Sequence, residues 1–121
     1  MENKKYFKHE TAIVSDESII GSNTKIWHFS HIREGCEIGN DVSIGQNVYI
    51  DTGVKIGNNC KIQNNVSIYK GVTIEDNVFI GDFCSLGPKK LTLGSNFSTN
   101  NTNLSSFFKF KGLFIRQSVS K

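Results

Sequence analysis

Aliphatic residues recur at every sixth position along most of this 121-residue chain, without a slip over thirteen repeats. The series comprises Val14, Ile20, Ile26, Ile32, Ile38, Ile44, Ile50, Ile56, Ile62, Ile68, Ile74, Ile80 and Leu86. A small or β-branched residue stands two positions before each of them, from Ala12 to Cys84. A short, fixed period of this kind predicts a stacked repeat array.

Each hexad has the composition of a short strand followed by a tight corner. In Val42-Ser43-Ile44 the two apolar residues are separated by one position, so both face inward and the middle residue faces outward. The remaining positions favour Gly, Asn and Asp, as in Gly39-Asn40-Asp41, and these residues tolerate the positive φ angles of sharp bends. A period of six matches no helix, and the β-branched content is high. The sequence therefore predicts strands joined by corners.

The hexad resembles the hexapeptide repeat of the left-handed β-helix acyltransferases. In that family three hexads, or eighteen residues, form one triangular coil. The resemblance implies an all-β fold, a left-handed parallel β-helix of about four to five triangular coils with an irregular C-terminal tail. The hand comes from the resemblance alone, because parallel crossovers are normally right-handed. We expect an N-terminal lead-in over residues 1–10, the β-helix over 11–87 and a divergent tail over 88–121.

The tail differs from the repeats in both pattern and charge. The series breaks at Thr92, although Leu93-Gly94 followed by Phe97 fits one more hexad after a one-residue insertion. Residues 1–82 carry eight basic and eleven acidic side chains, whereas residues 83–121 carry six basic and no acidic ones. A Ser/Thr/Asn run at 98–106 precedes an aromatic, basic ending. Three interpretations stay open: a cap or disordered end, a membrane or nucleic-acid contact, or an out-of-frame ending of a shortened product.

The cysteines and the first residues predict a cytoplasmic protein. Cys36, Cys60 and Cys84 occupy inward small-residue positions on different walls, so we expect buried free thiols that replace valine in a reducing compartment. Residues 1–10 are charged and lack the apolar run of a secretory signal. The chain has no transmembrane stretch. We expect neither membrane insertion nor nucleic-acid binding, because the basic tail carries too few charges to favour either contact.

Four segments resemble one branch of the acyltransferase family. They are Lys25-Ile26-Trp27-His28-Phe29-Ser30-His31-Ile32, Ile44-Gly45-Gln46-Asn47-Val48-Tyr49-Ile50, Lys61-Ile62-Gln63-Asn64-Asn65-Val66-Ser67-Ile68-Tyr69 and the stretch 72–81. Together they are similar to nucleotide-sugar 3-N-acetyltransferases of surface-polysaccharide (O-antigen) synthesis. The resemblance covers residues 11–81. It implies transfer of an acetyl group from acetyl-CoA, as co-substrate and without a metal, to the amino group of a nucleotide-linked amino sugar. It also implies a homotrimer with sites at the subunit seams.

The eighteen-residue register groups the candidate substrate-binding side chains. These candidates are His28, His31, Gln63, Asn64, Asn65 and Tyr69. His28 stacks with Gln46, Asn64 and Asp82 along one corner, and His31 with Tyr49, Ser67 and Ser85 on the adjacent wall. The family's sugar amine can arrive neutral, so we assign both histidines a binding or orienting role rather than that of a base. The catalytic and acetyl-CoA-binding residues stay unassigned.

Other polar and aromatic residues have competing structural interpretations. Corner asparagines such as Asn40, Asn58, Asn59 and Asn77 are expected to stabilise turns and stacked hydrogen bonds. Trp27 and Phe29 point outward, where either a neighbouring subunit or the sugar is their expected contact. His9 precedes the repeats and is expected on the surface.

The resemblance ends after Phe79-Ile80-Gly81. The family's next motifs are replaced here by Asp82-Phe83-Cys84-Ser85, so we expect the acetyl-CoA-binding coils to be absent and leave the activity of this shortened version open. One alternative is a non-catalytic β-helical assembly module. Another is a γ-class carbonic anhydrase, which binds zinc through three histidines. His28 and His31 have no third partner at suitable spacing.

Overall fold

The computed structural model describes residues 5–99 and the strand Ile115–Gln117. The described residues form sixteen strands of two or three residues and no helix. The strands are β1 Phe7–Lys8, β2 Ile13–Val14, β3 Ile19–Ile20, β4 Lys25–Ile26, β5 His31–Ile32, β6 Glu37–Ile38, β7 Ser43–Ile44, β8 Tyr49–Ile50, β9 Lys55–Ile56, β10 Lys61–Ile62, β11 Ser67–Ile68, β12 Val72–Ile74, β13 Phe79–Ile80, β14 Cys84–Leu86, β15 Leu91–Leu93 and β16 Ile115–Gln117.

Three sheets form the walls of a triangular solenoid, and their strands run parallel except for β16. The first wall runs β1-β4-β7-β10-β13, the second β2-β5-β8-β11-β14-β16 and the third β3-β6-β9-β12-β15. Strands pair at the predicted eighteen-residue spacing, so that Ile26, Ile44, Ile62 and Ile80 lie in register along the first wall. The predicted fold is confirmed: the chain is an all-β parallel solenoid of about five turns, consistent with a left-handed β-helix of hexapeptide repeats.

The inward aliphatic side chains form one continuous core. From Ile26 to Leu86 every residue of the series is at most 3% exposed. Val14 and Ile20, in the first coil, are only half-buried, because the described residues place no coil beyond them. Burying an aliphatic side chain fully contributes roughly 1.5–3 kcal/mol, so the stacked core dominates the stability of the solenoid.

The corners bend through one left-handed residue in every hexad. Positive φ angles recur at each sixth position from Asn23 to Phe83, and Asn, Asp or Gly fills most of them. Asparagine side chains connect the coils, since the backbone N–H of Asn40 donates to Asn58 Oδ1 over 2.8 Å and Asn59 Nδ2 donates to Asn77 Oδ1 over 2.7 Å. The predicted structural role of these asparagines is confirmed.

The solenoid extends past both expected boundaries. Phe7 and Lys8 pair with Lys25 and Ile26, so part of the lead-in belongs to the first coil. At the other end Leu91 pairs with Val72, a spacing of nineteen, and β15 carries the third wall beyond residue 87. Leu91 and Leu93 are buried while Thr92 is exposed, because the one-residue insertion shifts the inward positions. Pairing continues to Ser98, which bridges to Phe79.

The tail returns to the solenoid as a backbone strand. β16 pairs antiparallel with β14 and places Ile115 opposite Leu86 at the edge of the second wall. Antiparallel pairing there covers an otherwise open strand edge, which favours the capping interpretation of the tail. The Ser/Thr/Asn run after Thr99 and the aromatic ending before Ile115 lie outside the described residues. No helix in the described ranges is long and apolar enough to cross a membrane.

Candidate functional site

An aromatic group occupies the corner that follows the first wall, and it contains two of the three histidines. Trp27, His28 and Phe29 follow β4, and His9 follows β1. The rings of His9 and His28 stack with centroids 3.7 Å apart and an interplanar angle of 26°. We expected His9 to be a lone surface residue, which is wrong: because β1 is already in register, His9 lies beside the next coil's corner.

Further ring contacts extend this group. The rings of Phe7 and Trp27 lie 5.0 Å apart, those of Trp27 and His28 are 6.3 Å apart at 15°, and that of Phe29 lies 6.1 Å from His28. We call Phe7, His9, Trp27, His28 and Phe29 the aromatic corner. Its rings contact one another yet stay accessible, since Trp27 is 37% and Phe29 66% exposed. Large exposed aromatic groups of this kind mark contact surfaces.

A second group lies on the outer face of the second wall. His31, on β5, meets the edge of the Tyr49 ring at 5.9 Å, and Tyr69 lies 6.0 Å from Tyr49. The Tyr49 hydroxyl accepts a hydrogen bond from Arg33 Nη1 over 2.9 Å and donates to Asp51 Oδ1 over 3.3 Å. We call these five residues the tyrosine wall. The phenol is therefore held in one orientation between a cation and a carboxylate.

Charged groups beside the tyrosine wall stay ionised over the neutral range. Arg33 donates to both carboxylate oxygens of Glu34, which lowers the pKa of Glu34 and raises that of Arg33. Burial opposes ionisation of Asp51, but backbone N–H donors at Thr52 and Lys70 outweigh it and lower its pKa. The Tyr49 hydroxyl therefore lies between the Arg33 guanidinium and the Asp51 carboxylate, and Glu34 contacts the far side of the pair through Arg33.

The predicted amide residues form a ladder at the same corner, one and two coils beyond Trp27. Asn64 Oδ1 accepts from the backbone N–H of Gln46 over 2.9 Å, and the N–H of Asn64 donates to Asp82 Oδ1 over 3.1 Å. Asn65 Oδ1 accepts from Asn47 Nδ2 over 2.7 Å. The predicted column from Gln46 to Asp82 is therefore present, and its residues are hydrogen-bonded to one another between neighbouring coils.

The remaining candidates are distributed between these groups. Gln63 is half-buried directly before the ladder residue Asn64, and its backbone N–H donates to Ile80 O over 2.9 Å. His28 belongs to the aromatic corner, whereas His31 and Tyr69 belong to the tyrosine wall. Arg33 and Asp51 were not predicted as partners of the Tyr49 hydroxyl, although their eighteen-residue separation places them side by side on neighbouring coils.

The described part of the chain contains no group of side chains suited to binding a metal ion. No cluster of three His, Cys, Asp or Glu side chains there could hold an ion. The three thiols are buried at inward positions, and desolvation raises their pKa. Cys36 Sγ donates to the carbonyl of Asp51 over 3.1 Å, which is a structural contact.

Two solved structures match the chain at low sequence identity and with TM-scores below 0.5. A perosamine N-acetyltransferase variant from Caulobacter crescentus, in complex with CoA and GDP-perosamine, is 17% identical with a TM-score of 0.46, over 78% of this chain and 51% of that one. A UDP-N-acetylglucosamine acyltransferase from Francisella novicida is 18% identical with a TM-score of 0.38, over 81% of this chain and 58% of that one. The chain thus spans little more than half the length of these proteins.

Models of protein families identify the family of the chain more specifically than the solved structures do. No curated protein sequence matches the chain significantly. The model for the hexapeptide repeat of succinyl-transferase matches residues 35–70. The model described as bacterial transferase hexapeptide (six repeats) matches residues 17–52 and 53–88, more than half of the chain. The chain therefore belongs to the bacterial hexapeptide-repeat transferase family.

Proposed function

We propose that this chain is an acetyl-CoA-dependent N-acetyltransferase that acts on the amino group of a nucleotide-linked amino sugar. One observation carries the proposal: on a hexapeptide-transferase solenoid, one corner exposes stacked aromatic and imidazole rings. Apart from Phe29 and Phe83, every hexad from Asn23 to Phe83 bends through Asn, Asp or Gly in the left-handed position. Aromatic faces beside imidazoles suit the flat, partly apolar faces of sugars and bases.

The reaction forms an amide and breaks a thioester. The amine nitrogen attacks the thioester carbonyl and the CoA thiolate leaves. The nitrogen gives up one proton, which the departing thiolate takes up directly or through water, so that the products are the amide and the free CoA thiol. An amine that arrives neutral needs no protein base before it attacks. His28, held flat against His9, then serves to orient the substrate, as does His31 against the edge of Tyr49.

The tyrosine wall supplies polar contacts for the same substrate. The Tyr49 hydroxyl is fixed between Arg33 and Asp51, and Tyr69 lies beside it. Hydroxyl, guanidinium and carboxylate groups at fixed positions are suited to the hydroxyls of a sugar ring. We therefore include His31 and Tyr69 in the substrate site. For Asn64 and Asn65 we favour a structural role, since their amide oxygens are already bonded.

The proposal extends to assembly and pathway. We propose that the chain acts in the cytoplasm as a homotrimer, in the synthesis of a surface polysaccharide such as O-antigen. The segments that resemble nucleotide-sugar 3-N-acetyltransferases support this choice of substrate class and assembly. Sedimentation of the purified chain should give three times the monomer mass of 13.5 kDa.

A coupled thiol assay tests the activity. Acetyl-CoA and a UDP- or dTDP-linked 3-amino sugar are mixed with the protein, and release of free CoA is measured together with the mass of the acetylated sugar. Release that depends on the amino sugar supports the proposal. An otherwise identical 3-hydroxy sugar nucleotide serves as the control substrate. Absence of transfer to both nucleotide series, with folded protein, contradicts the proposal.

A non-catalytic assembly module is the second candidate. The observation that favours it is that the amide oxygens of Asn64 and Asn65 already accept hydrogen bonds within the corner ladder. Thermal-shift titration separates the two functions. Stabilisation by acetyl-CoA and by a nucleotide sugar indicates the enzyme, and stabilisation by neither ligand indicates the module.

A further inference from the structure

Two phenylalanines occupy backbone positions that favour much smaller residues. Each hexad between Asn23 and Phe83 has one residue with positive φ, and only Phe29 and Phe83 depart from Asn, Asp or Gly, at φ 60° and 62°. The left-handed region brings Cβ close to the following carbonyl, so a bulky side chain there is disfavoured. Asparagine, which occupies the same position at 47 and 65, is tolerated better.

Internal packing does little to offset the strain at Phe29. Its side chain is 66% exposed, whereas that of Phe83, at the same corner three coils on, is 37% exposed. The ring of Phe29 lies 6.1 Å from that of His28, and no other ring contact of Phe29 is seen among the described residues. Strained residues that the fold does not need for packing are concentrated at ligand sites. Phe29 is therefore a candidate for contact with a ligand.

The surroundings of Phe29 define the shape of that ligand. The rings of Trp27 and His28 are within 15° of parallel, and His9 stacks on His28 at 3.7 Å. Flat, accessible rings of this kind stack with planar heteroaromatic rings, and stacking tolerates any base. The aromatic corner itself contains no lysine, arginine or carboxylate, so its rings suit the base of a nucleotide rather than the phosphates.

Two exposed lysines that could contact phosphates lie on the first wall, beside the aromatic corner. Lys25 precedes Trp27 by two positions and faces outward on the same side of the strand. Lys61 lies in the same outward column, separated from Lys25 by Ser43. Both lysines are exposed. A diphosphate attached to a base on the aromatic corner would meet positive charge on the first wall.

We propose that Phe29 and Trp27 bind the nucleobase of the nucleotide-linked substrate by stacking, with the diphosphate directed toward Lys25. This subsite rests on the proposed function, which it extends by assigning separate places to base and phosphates. Phe29 is then a residue whose conformation lowers stability while its ring contributes to substrate binding.

Calorimetric titration with UDP and dTDP tests the subsite. Phe29→Asn places a left-handed-compatible residue at the strained position, and Phe83→Asn makes the same change at the same corner as the matched control. Both variants should unfold at a higher temperature than the parent protein. Only Phe29→Asn should bind UDP more weakly, by roughly 5- to 150-fold, the range for loss of one stacking contact. Inorganic pyrophosphate should bind both variants as it binds the parent.

The competing outcomes are distinguishable. UDP binding that is unchanged in Phe29→Asn, or a parent protein that binds neither UDP nor dTDP, overturns the subsite. A change in sedimenting mass without a change in UDP affinity also overturns it and assigns Phe29 to contacts between copies. Acetyl transfer with the same KM for the sugar nucleotide in parent and variant refutes the subsite while the proposed function stands. UDP binding that depends on Phe29, in a protein that transfers no acetyl group, supports the subsite and refutes the proposed function.

Discussion

The substitution Ile62→Ala measures how tightly the core of the solenoid is packed. Ile62 is fully buried and lies in register between Ile44 and Ile80. The change removes three carbon groups, and at about 0.8 kcal/mol each the lost transfer free energy is about 2.4 kcal/mol. A residual cavity adds to this, because large-to-small substitutions in cores cost about 2–5 kcal/mol in total.

The cavity at Ile62 has little freedom to collapse. The backbone N–H of Gln63 donates to Ile80 O over 2.9 Å, and that of Gly45 donates to Ile62 O over 2.8 Å. These ladders hold the flanking coils at strand spacing while the methyl groups are missing. We therefore expect Ile62→Ala to lower the free energy of unfolding by about 3–4 kcal/mol, above the transfer contribution alone.

Urea denaturation supplies the assay, with the single tryptophan, Trp27, and far-UV circular dichroism as independent probes. The matched control is Ile19→Ala, the same replacement at an outward position that is 69% exposed. The control should change the free energy of unfolding by about 0.5 kcal/mol or less. A cost below about 1 kcal/mol at Ile62, or equal costs at both positions, would refute the inward orientation and dense packing of the series.

Three further predictions concern the corners, the tyrosine wall and the thiols. Gly45→Ala should cost about 1–3 kcal/mol in urea unfolding, because its Cβ would clash with Asn64 Oδ1. Tyr49→Phe should cost about 1 kcal/mol by the same measurement, since it removes the hydrogen bonds to Arg33 and Asp51. Burial raises the native pKa of all three thiols. Their contribution to the free energy of unfolding should therefore be complete below the pKa of an unfolded cysteine, about 8.5, and should be lost as the pH rises through the native pKa values. Replacing all three by valine should reduce the loss of stability between about pH 7 and pH 10, measured by urea unfolding.

The repeat could be predicted from sequence because one local rule is applied many times. Alternation places Ile44 inward and Ser43 outward, and the eighteen-residue register then determines which strands pair. The rule fails where spacing changes. After Leu86 both a break and a one-residue insertion were compatible with the sequence, and only the pairing of Leu91 with Val72 decides for the insertion.

The beginning of the solenoid was hidden by a charged residue at an inward register position. Lys8 pairs with Ile26, where the hexad predicts an aliphatic side chain. In the first coil the core is still partly open, so its ammonium group reaches the carbonyl of Ala12 over 3.1 Å instead of being buried. Because Lys8 concealed this hexad, we placed His9 outside the repeats and missed its stacking on His28.

The sequence could predict which side chains of the candidate site lie in the same column, but not which of them are in contact. The register places His31 beside Tyr49, yet whether their rings touch depends on rotamers that no period determines. The same holds for Asn64, whose type fits both a ligand contact and a turn. Its bond from the N–H of Gln46 is what assigns it to the ladder.

The aromatic corner shows why ligand binding is expected where the sequence departs from the repeat. In the coil of Gly45 a glycine leaves room for the Asn64 oxygen above it, and the ladder forms. One coil earlier the glycine position is held by Trp27, and the ladder asparagine is replaced by Gln46. The rings at this coil thus stand where other coils carry a stabilising ladder, while the core beneath them at Ile26 keeps the common pattern. Since the core holds the fold and the outward rings add little to it, substitutions at Phe29 should separate binding from folding.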